Sequence, residues 1–440
     1  MSCRYHGFPV AFALLLLGPG PAPAGGLSEG ERKVMGYVEA HRDEAVGLIE
    51  RVVNIPSKTE NLAGVREVGK VFEAEFAAAG FTARWEEMPA AMGRAGHLIA
   101  EHPGTLGKRV LLIGHLDTVL EGQAFRRDPR FPNRAYGNGT VDMKGGDVIL
   151  LYALKTLHAA GALEGRRVAV ILTGDEEAAG YPIAASRGSM HALARRSDVA
   201  LAFEAADGQT ATVARRGVGS WALTVRARPG HSSGIFRTES GAGAIYESAR
   251  ILDEFRRELA GQKGLTVNAS LILGGTAAGH LPGASRGTAD GKTNVIPGEA
   301  FLQGDLRYLS DAQADAAEAA MRVIVARNLP KTSAAIEFER EYPAMAPTPG
   351  NYVLLGVLDR ASRDLDLGEI TAFDPSMRGA GDISFAAPFA SGLDGLGAHG
   401  GRSHTPEEWL DLASLPSQVR RAALLIDRLT HDETADGKVK

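Results

Sequence analysis

Val110-Leu111-Leu112-Ile113-Gly114-His115-Leu116-Asp117-Thr118 is an aliphatic run that delivers a histidine and a carboxylate at its end. It follows Pro103-Gly104 and the basic Gly107-Lys108-Arg109, and so reads as a buried strand of an α/β sheet. Ligands of such sheets sit beyond the carboxyl ends of the strands, where His115 falls. Asp117 projects to the same side of an extended chain and can accept the ring N–H that His115 does not use for a metal. Taken alone, the pair reads more readily as a surface hydrogen bond.

Further stretches change that reading. Arg167-Val168-Ala169-Val170-Ile171-Leu172-Thr173-Gly174 leads into Asp175-Glu176-Glu177, and Val199-Ala200-Leu201-Ala202-Phe203 leads into Glu204. Adjacent glutamates repel unless a cation or proton lies between them. Either they splay into solvent, or one ligates a metal while the other stays free as a base for water. Tyr136-Gly137-Asn138-Gly139-Thr140-Val141-Asp142-Met143-Lys144-Gly145-Gly146 is a glycine-rich loop before a helix expected over 147–160. Asp142 in that loop can bridge two divalent ions through its two oxygens, or cap a turn. Asn138-Gly139-Thr140 also matches a glycosylation acceptor, discounted because a glycan would obstruct the cleft. Late in the chain, Gly400-Gly401-Arg402-Ser403-His404-Thr405-Pro406-Glu407-Glu408-Trp409 adds His404, with His399 as the alternative ligand, ahead of an apolar helix over 415–429. Three hydrophobic strands that each end in metal-capable side chains are harder to dismiss than any one of them.

The surrounding chain fits a layered α/β protein of two domains: 440 residues, 44% of them hydrophobic. A net charge of -5 offers no general attraction for nucleic acid. The pairs Arg195-Arg196 and Arg215-Arg216 read as solvated faces. Residues 1–24 look like an export signal, too short in their apolar core to span a bilayer, and hold the chain's single cysteine, Cys3. Export to the periplasm or medium follows, without a disulfide in the mature chain. Apolar spacing predicts a helix over 29–54 capped at Ser28, a second over 62–79, and strands at 82–86 and 97–101. The tail 434–440 is polar. Gly379-Ala380-Gly381-Asp382 and Gly217-Val218-Gly219 lack the full spacing of a nucleotide loop.

From 216 to 347 the organisation differs. Strands and helices follow as β-α-β-β-α-β, which suggests a ferredoxin-like sandwich inserted into the first domain. The expected division is therefore a catalytic domain of 25–215 and 348–440 around an insert of 216–347.

GHLDTV, GNGTVDMKGG, TGDEEAAG, FEAAD and GGRSHTPEEW, in this order, resemble the M20 family of two-zinc peptidases and, within it, the glutamate carboxypeptidase branch. The resemblance implies two zinc ions, one held by His115, Asp142 and Glu204, the other by Asp142, Glu177 and His404. It makes Glu176 the general base, has Asp117 orient His115, and makes the insert a lid and dimerisation domain. Arg228-Pro229-Gly230-His231-Ser232-Ser233-Gly234 resembles the lid motif whose histidine crosses to the neighbouring active site and stabilises the oxyanion. Asn294 and Arg307 resemble lid positions that bind substrate carbonyl or carboxylate; an asparagine turn and an Arg–Asp surface pair are the alternatives. The implied reaction is removal of a C-terminal residue, plausibly glutamate, from a small peptide or N-acyl amino acid. An N-acyl amino acid deacylase or dipeptidase is the close alternative. A non-catalytic, self-associating metal-binding protein is the reading of another class.

Overall fold

Along the strand Leu106–His115 the side chains alternate between two interiors: Val110 and Leu112 join one apolar cluster, Leu111 and Ile113 another. That is why the run is apolar without a break, since period-two alternation leaves no solvent face when both sides are covered. The computed structural model describes residues 26–281 and 285–431. The expected leader, Cys3 and the polar tail fall outside the described residues.

Leu106–His115 lies inside a six-stranded sheet, parallel to Arg166–Thr173 on one side and to Val199–Ala202 on the other. His97–His102 and Thr82–Glu86 add antiparallel strands beyond Arg166–Thr173. On the far side Ser391–Leu393 pairs in parallel with Val199–Ala202, so nearly two hundred residues intervene between neighbouring strands of one sheet. Helices Lys144–Ala159 and Leu415–His431 pack on one face. Gly188–Ala194 and Ile383–Ala386 cover the other.

The intervening chain builds its own sheet, from Gly217–Ala227, Thr266–Gly275, Glu299–Tyr308 and Thr332–Tyr342. All its pairings are antiparallel, and from one edge the order is second, third, first and fourth strand, the ferredoxin-like arrangement. Trp221, Leu223 and Val225 alternate with more exposed residues and meet Ile251, Phe255, Met321 and Ile324 of the helices Ala244–Leu259 and Asp311–Ala326. Only one face of this sheet is covered by helices, hence its cleaner polar alternation. Where the chain leaves and re-enters the first domain, Arg215 and Met345 exchange backbone hydrogen bonds, both 3.0 Å.

Several expectations are corrected. The helix predicted over 29–54 is two, Glu29–Ala40 and Arg42–Val53. The break falls at His41, whose ring stacks on Tyr37 at 3.6 Å with Nδ1 2.8 Å from the Tyr37 carbonyl oxygen. Ser28 does cap the first of them, in a reciprocal capping box with Glu31. The helix expected from 147 begins at Lys144. Arg215 is not solvated: it is buried and paired with Asp394, while its neighbour Arg216 stays at the surface. A helix Pro349–Asp364 and a hairpin of Ala277–His280 with Gly287–Asp290 carried no reading from the sequence.

Candidate metal centre

Two glycines let the elements close on one another. A Cβ at Gly114 would lie 2.1 Å from Asp147 Oδ1, and one at Gly146 would lie 2.0 Å from the Phe203 carbonyl oxygen. With hydrogens there instead, the N-terminus of Lys144–Ala159 presses against the ends of the His115 and Glu204 strands, which brings Asp142 over them.

There, two groups of side chains converge: His115, Asp142 and Glu204, and Asp142, Glu177 and His404, the donor atoms of each group within 4.8 Å of one another. Asp142 belongs to both. Its Oδ1 is 3.3 Å from His115 Nε2, and its Oδ2 is 3.1 Å from His404 Nε2. Glu204 Oε1 stands 3.7 Å from His115 Nε2, and Glu177 Oε2 stands 3.3 Å from His404 Nε2. His404 is held at φ 63°, in the left-handed region that costs an ordinary residue about 1–2 kcal/mol. His399 joins neither group; its ring lies toward Asp411, 3.9 Å away.

The electrostatics are those of a site with too many carboxylates. Burial first, and neighbouring acids second, push the carboxyl groups of Glu176, Glu177 and Glu204 up, that of Glu204 to about 7 in all. Burial opposes ionisation of Asp142 as well, but hydrogen bonds to His115 and His404 outweigh it and hold the group below the usual carboxylate range. Hydrogen bonds that the His404 ring makes to the carboxylates of Asp142 and Glu177 carry its imidazole up to about 10. Among the described residues, Glu177 Oε1 is buried without a hydrogen-bond partner. Imidazole and carboxylate donors, a surplus of negative charge and an orphaned buried oxygen together fit a pair of divalent cations.

Around these groups the other candidates fall as follows. Glu176 lies in neither donor group, yet its charge acts on His115 and Glu204. Asp117 is fully buried, and its carboxylate accepts the N–H groups of Glu176 and Glu177, each at 3.1 Å, and the Thr59 hydroxyl at 2.7 Å. The nearer neighbour of His115 Nδ1 is the Asp117 backbone oxygen, at 3.1 Å, with the carboxylate at 3.5 Å. His231, Asn294 and Arg307 belong to neither donor group. His231 is exposed, with Nδ1 2.9 Å from the Ser233 hydroxyl. Asn294 is exposed, and its backbone oxygen accepts from Ser232. Arg307 makes the Arg–Asp pair weighed above, with Asp305 at 3.1 Å.

Sequence reasoning passed over three supports. Glu408 is buried and takes the N–H groups of Gly139, Val141 and Asp142 at 2.8–3.1 Å, so it shapes the loop that carries Asp142. It stands four residues past His404 in GGRSHTPEEW. Lys144, also buried, donates to the carbonyls of Val52 and Ile55, both at 2.9 Å. Arg187, with no exposed surface, joins Asp175 at 2.5 Å to Asp382 at 2.8 Å.

The sequence profile of peptidase family M20/M25/M40 matches residues 111–428. Carboxypeptidase G2 of Pseudomonas sp. strain RS-16 is 26% identical over 406 residues, 88% of this chain and 90% of that one. A succinyl-diaminopimelate desuccinylase of Xanthomonas euvesicatoria is 28% identical over 357 residues, 77% of this chain and 88% of that one. Among solved structures, aminopeptidase PepT from Bacillus cereus superposes with a TM-score of 0.68 at 18% identity, covering 88% of this chain and 98% of that one. With the profile running through every donor at the centre, the protein belongs to peptidase family M20/M25/M40 and is an enzyme of the peptidase and amidohydrolase kind.

Proposed function

We propose that the protein is a zinc-dependent exopeptidase that hydrolyses a C-terminal amide bond and releases an amino acid, glutamate. The observation that carries this reading is the sharing of Asp142 between two donor groups with Glu176 left free beside them. Two divalent cations, when bound, would supply Lewis acidity to the attacking water and to the scissile carbonyl. His115, Asp142 and Glu204 would hold one, and Asp142, Glu177 and His404 the other. Glu176 takes the proton of the attacking water and returns it to the departing nitrogen, a task suited to a carboxyl group whose burial raises its proton affinity. Asp117 keeps the Glu176 backbone in place and steadies the His115 ring.

Similarity to carboxypeptidase G2 supports the choice of a C-terminal substrate. Similarity to a desuccinylase favours the second reading, an N-acyl amino acid deacylase using the same centre. A screen of N-acyl amino acids and dipeptides, with and without chelator and read by release of free amine, separates them. Expected is cleavage of peptidyl-glutamate in preference to simple N-acyl amino acids, a turnover that stops on chelation and returns with zinc. Preference for N-acyl amino acids, succinylated ones included, selects the second reading, and chelator-resistant turnover overturns both.

The lid is proposed to serve a homodimer, in which the partner subunit's His231 steadies the oxyanion and Asn294 and Arg307 hold substrate oxygens. Mixing His231→Ala with Glu176→Ala subunits should then restore part of the activity, because one of the two sites in a mixed dimer is intact. Absence of rescue counts against the exchange. Export by residues 1–24 belongs to the same proposal. Among the described residues no helix is long and apolar enough to cross a membrane.

A further inference from the structure

The strand Thr332–Tyr342 of the second sheet ends against the catalytic domain. Its last residue, Tyr342, donates its hydroxyl hydrogen to the Glu176 backbone oxygen at 3.0 Å. That oxygen belongs to the peptide joining Glu176 to Glu177, and the N–H of the same peptide is held by Asp117 Oδ2 at 3.1 Å. One amide plane is therefore gripped at both ends, by a residue of the catalytic sheet and by a residue of the lid. The side chains on its two sides are the proposed base and a proposed ligand.

The tyrosine is itself firmly placed. Arg187 donates to its hydroxyl at 3.3 Å, its ring meets Phe385 edge-on at 5.0 Å, and its own carbonyl accepts the Tyr308 hydroxyl at 3.2 Å. Behind Arg187 stand Asp175 and Asp382, and Asp382 also accepts the Thr173 hydroxyl at 2.6 Å. The chain thus runs without a gap from the lid sheet through Tyr342 to the segment 173–177. A rotation of the Glu176–Glu177 peptide swings both carboxyl groups, so whatever fixes that plane fixes their aim.

From this geometry we infer that Tyr342 is a positioning residue for the reaction: its hydroxyl locks the amide plane between Glu176 and Glu177 and ties the aim of the base to the seating of the lid. The inference rests on the role proposed for Glu176.

Tyr342→Phe tests it, since it keeps the ring against Phe385 and removes only the hydroxyl. With a peptidyl glutamate as substrate and free amine as the readout, kcat should fall roughly tenfold, the kinetic equivalent of one neutral hydrogen bond, while KM holds. Metal content and unfolding midpoint should match the parent chain. In a Glu176→Gln background the same change should lower the residual kcat by well under tenfold, because the plane then has only the Glu177 ligand left to aim. An unchanged kcat for Tyr342→Phe beside a Glu176→Gln variant that has lost turnover overturns the coupling alone. So does a rise in KM at constant kcat, or a full tenfold loss repeated in the Glu176→Gln background. Full turnover in Glu176→Gln overturns the base assignment itself, and the coupling with it.

Discussion

Glu176→Ala should lower hydrolysis by about 10²- to 10⁴-fold, the usual contribution of a placed proton-transfer group. Metal content should stay as in the parent chain, because Glu176 belongs to neither donor group. The backbone at this position is held by the carboxylate of Asp117, which is indifferent to the side chain there. Turnover at several pH values and elemental analysis of the dialysed protein check the two halves separately. Unchanged turnover would remove Glu176 from the role. Loss of metal alongside activity would recast it as a ligand.

The second large effect is on stability. Arg187→Met should destabilise the fold by about 3–5 kcal/mol, the cost of leaving buried charges without their partner. Asp175 and Asp382 both lie against the Arg187 guanidinium, and none of the three side chains has appreciable exposure. Burial alone would raise the Asp175 carboxyl; the charge of Arg187, with hydrogen bonds from Ser186 and the Gly180 N–H, keeps it below its usual range instead. Methionine fills a similar volume, so the loss is of charge more than of packing. Urea unfolding should show a lower midpoint with an unchanged slope. A loss under about 1 kcal/mol would mean that water reaches the two carboxylates and replaces the cation.

What could be read from the chain, and what could not, divides along the range of the interactions. His115, Glu177 and Glu204 were legible because each follows an aliphatic run, and such a run states both its burial and the end at which ligands gather. Asp142 and His404 sit in glycine-rich loops, and the ordered motifs around them carried the rest. The alternation of β-α-β-β-α-β in the insert was likewise written in local periodicity. The ion network was not. Arg187 looks like any arginine of a polar loop, and the acid that pairs with it at 2.8 Å is 195 positions away. Arg215 misled for the same reason: nothing beside it announces Asp394. The break at His41 leaves the apolar spacing of 29–54 undisturbed, so that spacing does not reveal it. The hairpin of Ala277–His280 and Gly287–Asp290 is short, polar and largely exposed, with little periodicity to betray it.

Glu408 ties the loop of Asp142 to a stretch near the other end of the chain. Its neighbour Trp409 begins the short strand Trp409–Asp411, which pairs with Arg134–Tyr136, just ahead of that loop. A chain cut before residue 400 would therefore keep His115, Asp142, Glu177 and Glu204 yet lose the clamp on the Asp142 loop and the second imidazole in one stroke.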